Sequence, residues 1–281
     1  MAFFTIIIPT CNRPDLLLLC LERLKSSVQQ FSSGALSYEV IVTDDSSNDI
    51  TEKILLQEDW VRYSKGPGRG PAANRNNGAS LAKGEWLIFI DDDCLPSVSL
   101  VQSYKEAISL HTDSLVFEGA IRAEGQKKRI DEEAPINENG GFLWSCNFAI
   151  QKAFFIKLGG FNEAFPYASM EDVDFYIRVQ QKAIPIFVKE AFVVHPWRRV
   201  NNPALKYDKV FDSHKVFIQV NTAWKNYFTL YKIIVQFLVS FTKKTIPDLI
   251  HYKCKGWRMH WYYHVFQWRL LWHVLKLNNK S

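Results

Sequence analysis

The stretch Trp86-Leu87-Ile88-Phe89-Ile90-Asp91-Asp92-Asp93 sets the reading of this chain. Five apolar residues in a row are a strand buried on both faces, the kind that parallel sheets contain. Three adjacent carboxylates then follow without a spacer. They repel one another, so a strand end keeps them together only where a cation or hydrogen-bond donors offset that repulsion. Hard oxygen ligands suit Mg²⁺ or Mn²⁺, and Mg²⁺ is commonly held by one or two carboxylates together with substrate phosphates. The bland alternative is a solvated acidic turn.

Working outward, the same grammar recurs. Phe3–Ile8 is a short β-branched run that stops at Pro9-Thr10 and is followed by Cys11-Asn12-Arg13; a helical pattern then covers Asp15 to Val28. Glu39–Thr43 reads as a second strand and ends in Asp44-Asp45-Ser46-Ser47. A helix through Ile54, a short strand near Val61–Tyr63, a Gly/Pro loop over 66–71 and a helix over Ala72–Ala82 lead into Trp86. Strands alternating with helices predict parallel βαβ units and an α/β fold. In open α/β sheets ligands bind beyond the carboxyl ends of the strands, and three polar clusters fall on that one edge.

Each cluster reads two ways from the residues alone. Asp44-Asp45 is either a turn flanked by capping residues or a carboxylate that accepts from a base or ribose. Arg75, in Asn74-Arg75-Asn76-Asn77-Gly78, either faces solvent or pairs with acid or phosphate. Glu171-Asp172, followed by Asp174, opens a helical pattern over 170–182; the helix dipole favours acids there, and a general base is the other reading. His195 ends an apolar run read as two short strands and is a structural histidine or a ligand. Residues 123–140 are charged and carry Pro135, Gly140 and Gly141, which predicts a mobile loop or lid.

Charge divides the chain of 281 residues. Its net +5 conceals 15 Lys+Arg against 3 Asp+Glu from Trp197 to the end, a net of +12, with −7 before it. The basic part is rich in aromatics, including Trp224, Trp257, Trp261, Trp268 and Trp272. Two domains are expected, 1–222 and a helical region 223–281, with helices over Tyr227–Phe241 and Trp257–Leu277. Cationic, Trp-rich helices can lie in a membrane interface; packing on the catalytic domain is the alternative. The rest of the chain offers nothing to a nucleic acid. The five scattered cysteines lack metal-ligand spacing and read as reduced thiols. No basic region precedes the first strand, so no signal peptide is expected, and no apolar run reaches about 18 residues.

Five segments in order resemble the family 2 glycosyltransferases, which have the GT-A fold. They are Thr5-Ile6-Ile7-Ile8-Pro9-Thr10 with Asn12-Arg13; Val42-Thr43-Asp44-Asp45-Ser46-Ser47-Asn48-Asp49; Asn74-Arg75-Asn76-Asn77-Gly78 with Gly84-Glu85; Phe89-Ile90-Asp91-Asp92-Asp93 with Pro96; and Gly159-Gly160-Phe161-Asn162-Glu163 with Glu171-Asp172-Val173-Asp174. The resemblance covers roughly Phe3 to Trp197. It implies a Rossmann-like, mostly parallel sheet flanked by helices and an inverting, metal-dependent transfer of sugar. It also implies roles: Asp45 on the nucleobase with Asp44 supporting the turn, Thr10 and Arg13 in the nucleotide pocket, and Arg75 near the base or the first acidic cluster. Asp91 would lie near the ribose, with Asp92 beside it at the donor. Asp93 and His195 would hold Mn²⁺ or Mg²⁺, and Asp172 would be the base. Many members have Asp-Gly-Ser where this chain has Asp45-Ser46-Ser47. The donor is expected to be a nucleoside-diphosphate sugar, with a UDP-sugar favoured, and the acceptor a glycan or lipid-linked sugar. The expected location is cytoplasmic, peripheral at the inner face of the membrane. A metal-dependent nucleotidyltransferase is the rival enzyme, although a Gly-rich, Lys-bearing loop after the first strand is missing; a membrane-bound scaffold is the non-enzymatic rival.

Overall fold

A computed structural model describes residues 3–31, 37–221 and 230–278. In chain order the elements are β1 (Phe4–Thr10), α1 (Pro14–Phe31), β2 (Tyr38–Asp44), α2 (Ile50–Leu55), β3 (Val61–Lys65), α3 (Pro71–Leu81), β4 (Trp86–Ile90), β5 (Leu95–Pro96), α4 (Leu100–Leu110) and β6 (Val116–Ala123). There follow β7 (Glu132–Glu133), β8 (Asn147–Gln151), α5 (Lys152–Lys157), α6 (Glu171–Gln180), β9 (Ile186–His195), β10 (Arg198–Arg199), α7 (Pro203–Val220), α8 (Leu230–Ser240), α9 (Ile246–His251) and α10 (Arg258–Asn278).

The chain forms two compact units, Met1–Glu124 with Pro135–Pro196, and Gly125–Ala134 with Trp197–Ser281. The first carries an eight-stranded sheet in the order β3-β2-β1-β4-β8-β6-β9-β5. Pairings β1/β2, β2/β3, β1/β4 and β6/β9 are parallel, while β8 runs antiparallel to both β4 and β6. The parallel half matches the expectation from the βαβ pattern. The antiparallel β8 arises because the chain reaches it through a loop rather than a crossover helix.

Both faces of the sheet are covered, and β1 shows how. Phe4, Ile6 and Ile8 point into one core with Leu17, Leu21 and Leu24 of α1 and Tyr104 of α4. Ile7 points the other way, into a core with Leu87, Phe89, Phe148, Phe155, Phe161 and Phe175. Phe161 meets Phe175 at 4.7 Å between ring centroids and Phe89 edge-on at 5.5 Å. Such aromatic packing adds to the burial term and fixes the start of α6 against the end of β4.

Two sequence expectations change. The run before His195 is one ten-residue strand, not two. The apparent break is the charged pair Lys189-Glu190, exposed where the β6/β9 register steps between Gly119 and Ala120. The segment 123–140 is not a free lid either. Asn137 bridges to Ile121, and the buried Glu118 accepts from the Asn137 amide and the backbone N–H groups of Gly141, Phe142 and Leu143.

In the second unit, α7 packs on α10 through Ile218, Phe266, Leu270 and Val274. The compact units divide at 124/125, 134/135 and 196/197; the boundary expected from composition, 222/223, lies outside the described residues. Amphipathic α7 has its apolar partner in α10, a long-range pairing that composition does not encode. Trp224 and the start of the expected helix over Tyr227–Phe241 lie outside the described residues.

Candidate active site

The site grows from the carboxyl edge of β1, β2 and β4. Thr10 ends β1, and its hydroxyl donates to Asp92 Oδ2 at 2.6 Å. Arg13, at the start of α1, reaches Asp92 Oδ1 and Asp93 Oδ2, each at 2.8 Å. Asp92 is fully buried, and burial pushes its carboxyl up to about 7 against the opposing pull of Arg13 and Thr10. Arg13 itself is raised: burial works against its charge, and Asp92 and Asp93 overcome that. The middle aspartate thus braces β1 and Arg13 from beneath; it meets the opening only through Arg13.

At the end of β2, Asp44 is buried, and its Oδ1 accepts from the Ser46 backbone N–H at 2.8 Å and from the Ser46 hydroxyl. That closes the turn and leaves Asp45 half-buried at the rim, where its Oδ1 accepts from the Gly68 N–H at 2.8 Å. Gly66 lets the 66–70 loop pass close by, since a Cβ there would stand 2.2 Å from Asp45 Oδ1 and 2.3 Å from Asn74 Oδ1. Asn74 is a residue whose role sequence reading missed. Its amide donates to the carbonyls of Thr10 (3.2 Å) and Thr43 (2.9 Å) and accepts from the Thr43 hydroxyl, tying the ends of β1 and β2.

Arg75, one residue on, goes elsewhere than expected. It turns from Asp44-Asp45 to bridge the other two acidic clusters, with Nη2 2.7 Å from Asp91 Oδ1 and Nη1 3.3 Å from Glu171 Oε1, its guanidinium 5.6 Å from the Phe161 ring. Both partners stand on one side of α3, so the helix phase decides the matter. The acids at the start of α6 are sorted by their contacts. Asp174 pairs with Arg178 one turn on. Glu171 is buried against Arg75, and burial followed by the Asp172 charge pushes it up to about 8. Asp172 is half-buried and bonded to Ser145; burial raises it while Arg75 pulls the other way. Its Oδ1 is shielded from water and has no hydrogen-bond partner among the described residues.

His195 ends β9 and is buried with Asp93; its Nε2 lies 3.2 Å from Asp93 Oδ1. Its Nδ1 lies 2.8 Å from the Pro196 carbonyl. A carbonyl only accepts, so Nδ1 carries a hydrogen, and Nε2 is the nitrogen that faces a carboxylate oxygen. Two acceptors at that distance need a proton or a cation between them. In an octahedral site with bonds of about 2.1 Å, neighbouring ligand atoms stand about 3 Å apart, so this pair fits a small divalent cation. Cys94, which lacks metal-ligand spacing in the sequence, has its sulfur within 4.8 Å of the Asp93 and His195 ligand atoms. Its thiol is held well above the ordinary range by its hydrogen bond with Cys146 and by burial. A neutral sulfur is a poor partner for a hard cation, so of these three residues Asp93 and His195 offer the donors that suit one.

Glu171 gives the first testable consequence. Its folded value is raised above the ordinary 4.5, so its contribution to stability is fully present below about 4.5 and is lost as pH rises through about 8. The slope for one such group reaches about 1.4 kcal/mol per pH unit. In Glu171→Gln, thermal unfolding measured from pH 5 to 8.5 is expected to flatten; a slope equal to the wild type's would remove Glu171 as its source.

Comparison with known proteins agrees with this geometry. The sequence profile described as "Glycosyl transferase family 2" matches residues 5–159. An uncharacterized glycosyltransferase of Haemophilus influenzae is 29% identical over 196 residues, 63% of this chain and 62% of that protein. A GalNAc(5)-diNAcBac-PP-undecaprenol beta-1,3-glucosyltransferase of Campylobacter jejuni is 29% identical over 176 residues, 57% of this chain and 55% of that protein. The chain thus spans less than two thirds of the length of these curated relatives. Among solved structures, S. aureus TarS residues 1–349 in complex with UDP-GlcNAc superimposes with a TM-score of 0.55 at 18% identity, covering 74% of this chain and 64% of that 1–349 chain, and shares the GT-A fold. A profile match over more than half the chain, on the fold and strand-end acids just described, makes the chain a member of glycosyl transferase family 2.

Proposed function

We propose that the protein is an inverting glycosyltransferase that moves a sugar from a nucleoside-diphosphate sugar to an acceptor hydroxyl. The observation that carries this is the gathering on one sheet edge of Asp45, Asp91, the Asp93–His195 pair and Asp172 with its unpartnered oxygen. Asp45, on its Ser46-closed turn, takes the nucleobase; Thr10 and Arg13 shape the pocket, and Asp91, held by Arg75, lies by the ribose. Asp93 and His195 would hold Mn²⁺ or Mg²⁺, which would supply positive charge to offset that of the departing diphosphate. Asp172 takes the proton of the acceptor hydroxyl as it attacks the anomeric carbon from the opposite face. Holding donor and acceptor in line supplies much of the rate.

The bound UDP-GlcNAc of TarS favours a UDP-sugar, and the name of the Campylobacter relative favours a lipid-linked acceptor. Among the described residues no helix is long and apolar enough to cross a membrane; the basic aromatic second unit supports attachment at the inner membrane face instead. The test is product analysis over a panel of sugar nucleotides with Mn²⁺ or Mg²⁺. Release of nucleoside diphosphate that stops with chelator is expected. Release of pyrophosphate would assign a nucleotidyltransferase.

A further inference from the structure

The second unit holds a concentration of positive charge that sugar transfer does not use. Arg129 grips Asp131 with two bonds, Nε to Oδ1 at 2.8 Å and Nη2 to Oδ2 at 3.1 Å, and Arg199 Nε reaches Oδ2 at 3.2 Å. The backbone locks the same place. Asp131 accepts from the Val200 N–H at 2.7 Å, and the Ile130 N–H donates to the Lys255 carbonyl at 2.9 Å. Gly256 adopts φ +84°, and a Cβ on it would stand 2.4 Å from Asp131 Oδ1. These contacts frame a cavity of about 310 Å³ whose wall includes Arg129, Asp131, Arg199, Pro203, Trp257 and Arg258.

Electrostatics is the argument for a ligand. Three guanidinium groups face one carboxylate, and Arg258 has no carboxylate partner among the described residues. Helices α7 and α10, of 18 and 21 residues, begin on this wall at Pro203 and Arg258, and neither has an acid in its first turn. A helix start carries about half a positive charge, so an arginine there adds repulsion that an anion would relieve. Arginine forks and helix N-termini are the groups that bind phosphate.

A second observation says what carries the phosphate. Trp257 stands at the wall and opens a row with Trp261, Trp268 and Trp272 on α10, which are 51, 59, 55 and 63% exposed. Trp257 directly precedes α10, and on the helix the spacings of 7 and 4 residues from Trp261 to Trp268 and Trp272, at about 100° per residue, put those three within an arc of about 40°. The opposite side of α10 is spent on the core, through Met259, Phe266, Leu270 and Val274. Four large exposed indoles so placed are costly in water and at home at a membrane interface.

The geometry points to a binding site in the second unit for a phosphate or diphosphate ester borne on a lipid, with the arginine cavity taking the phosphate and the tryptophan row lying in the membrane interface beside it. The site deepens the acceptor half of the proposed function and rests on that reading only for the choice of lipid.

The full chain, in chelator and without sugar nucleotide so that the donor site is silent, is titrated with inorganic diphosphate by calorimetry. It is also floated with phosphatidylcholine vesicles doped to equal charge with a polyprenyl phosphate or with phosphatidylglycerol. Wild type is expected to bind diphosphate, and Arg199→Gln with Arg258→Gln to bind it at least tenfold more weakly at an unchanged melting temperature. Trp261→Ala with Trp268→Ala is expected to keep diphosphate binding and lose the vesicles. Preference for polyprenyl phosphate identifies the lipid-linked acceptor as the source; equal binding to both vesicles supports the site with bilayer headgroups as the source. Wild type that ignores diphosphate, or a double arginine variant that binds it equally well, overturns the inference. Since no donor is present, that result leaves the transfer reading standing, and failure of donor turnover leaves this site standing.

Discussion

Asp172→Asn lowers kcat by a factor of about 10² to 10⁴, the range a positioned general base contributes, while KM for the donor stays close to the wild-type value. Asparagine has the same outline, so the start of α6 and the Phe161–Phe175 packing beside it are kept. What is lost is a carboxylate whose Oδ1 is shielded from water and unpartnered among the described residues. The variant is not expected to be less stable at neutral pH. Burial already disfavours the Asp172 charge, with Arg75 opposing, so a neutral side chain removes a repulsion from Glu171 that the fold otherwise bears. Activity without stability is therefore the signature of the base, read from nucleoside diphosphate release beside a thermal melt. The pH profile carries the same sign. A base with a raised value must lose its proton before it works, so turnover in the wild type climbs with pH through a limb above the ordinary aspartate range, and that limb vanishes in Asp172→Asn. Wild-type turnover in the variant would take the role of base away from Asp172. Asp93→Ala is the companion measurement: intact turnover in both variants would displace the site altogether.

The parallel half of the sheet was legible because its strands are unbroken apolar runs ending in acids, and periodicity reports exactly that kind of pattern. The site residues were legible as a set for the same reason. Their division of labour was not. Nothing in Asp91-Asp92-Asp93 says that the middle carboxylate turns inward to Thr10 and Arg13. Strand alternation predicts opposite faces for neighbours, but which carboxylate meets His195 depends on a residue 102 positions beyond Asp93. Resemblance placed Arg75 near the base or the first acidic cluster; that the phase of α3 pairs it with Asp91 and Glu171 is not legible in the sequence. Residues 123–140 looked like a lid because composition records charge and glycine but not Glu118, a buried carboxylate on β6 that holds the Asn137 amide and the backbone N–H groups just after the segment, at 141–143. Composition is equally blind to the long-range pairing of α7 with α10.

Arg75→Met is expected to cost about 3–5 kcal/mol of stability, the usual effect of leaving a buried ion pair with one partner, and to abolish transfer. For a chain of this size each kcal/mol corresponds to roughly 2–4 °C in Tm, so the melt falls by on the order of 10 °C. Methionine keeps much of the volume and the contact with Phe161, which isolates the charge. The guanidinium is buried, and its two arms serve separate carboxylates, Asp91 at 2.7 Å and Glu171 at 3.3 Å. Arg75→Lys, with a single ammonium, cannot reproduce that fork and recovers only part of the loss. The decisive reading is its dependence on pH. Arg75 pulls Glu171 and Asp172 downward against burial, so without it both folded values rise further. Groups raised in the fold lend stability at low pH and withdraw it as pH climbs through the folded value. The deficit of Arg75→Met relative to wild type should therefore be small near pH 4.5, where these acids hold their protons, and largest above pH 8. Adding Glu171→Gln removes one of the stranded charges, so the double variant melts higher than Arg75→Met at pH 8 yet stays inactive, because Asp91 is still unheld. An equal deficit at both ends of the pH range would show that the two acidic clusters do not depend on the charge of Arg75.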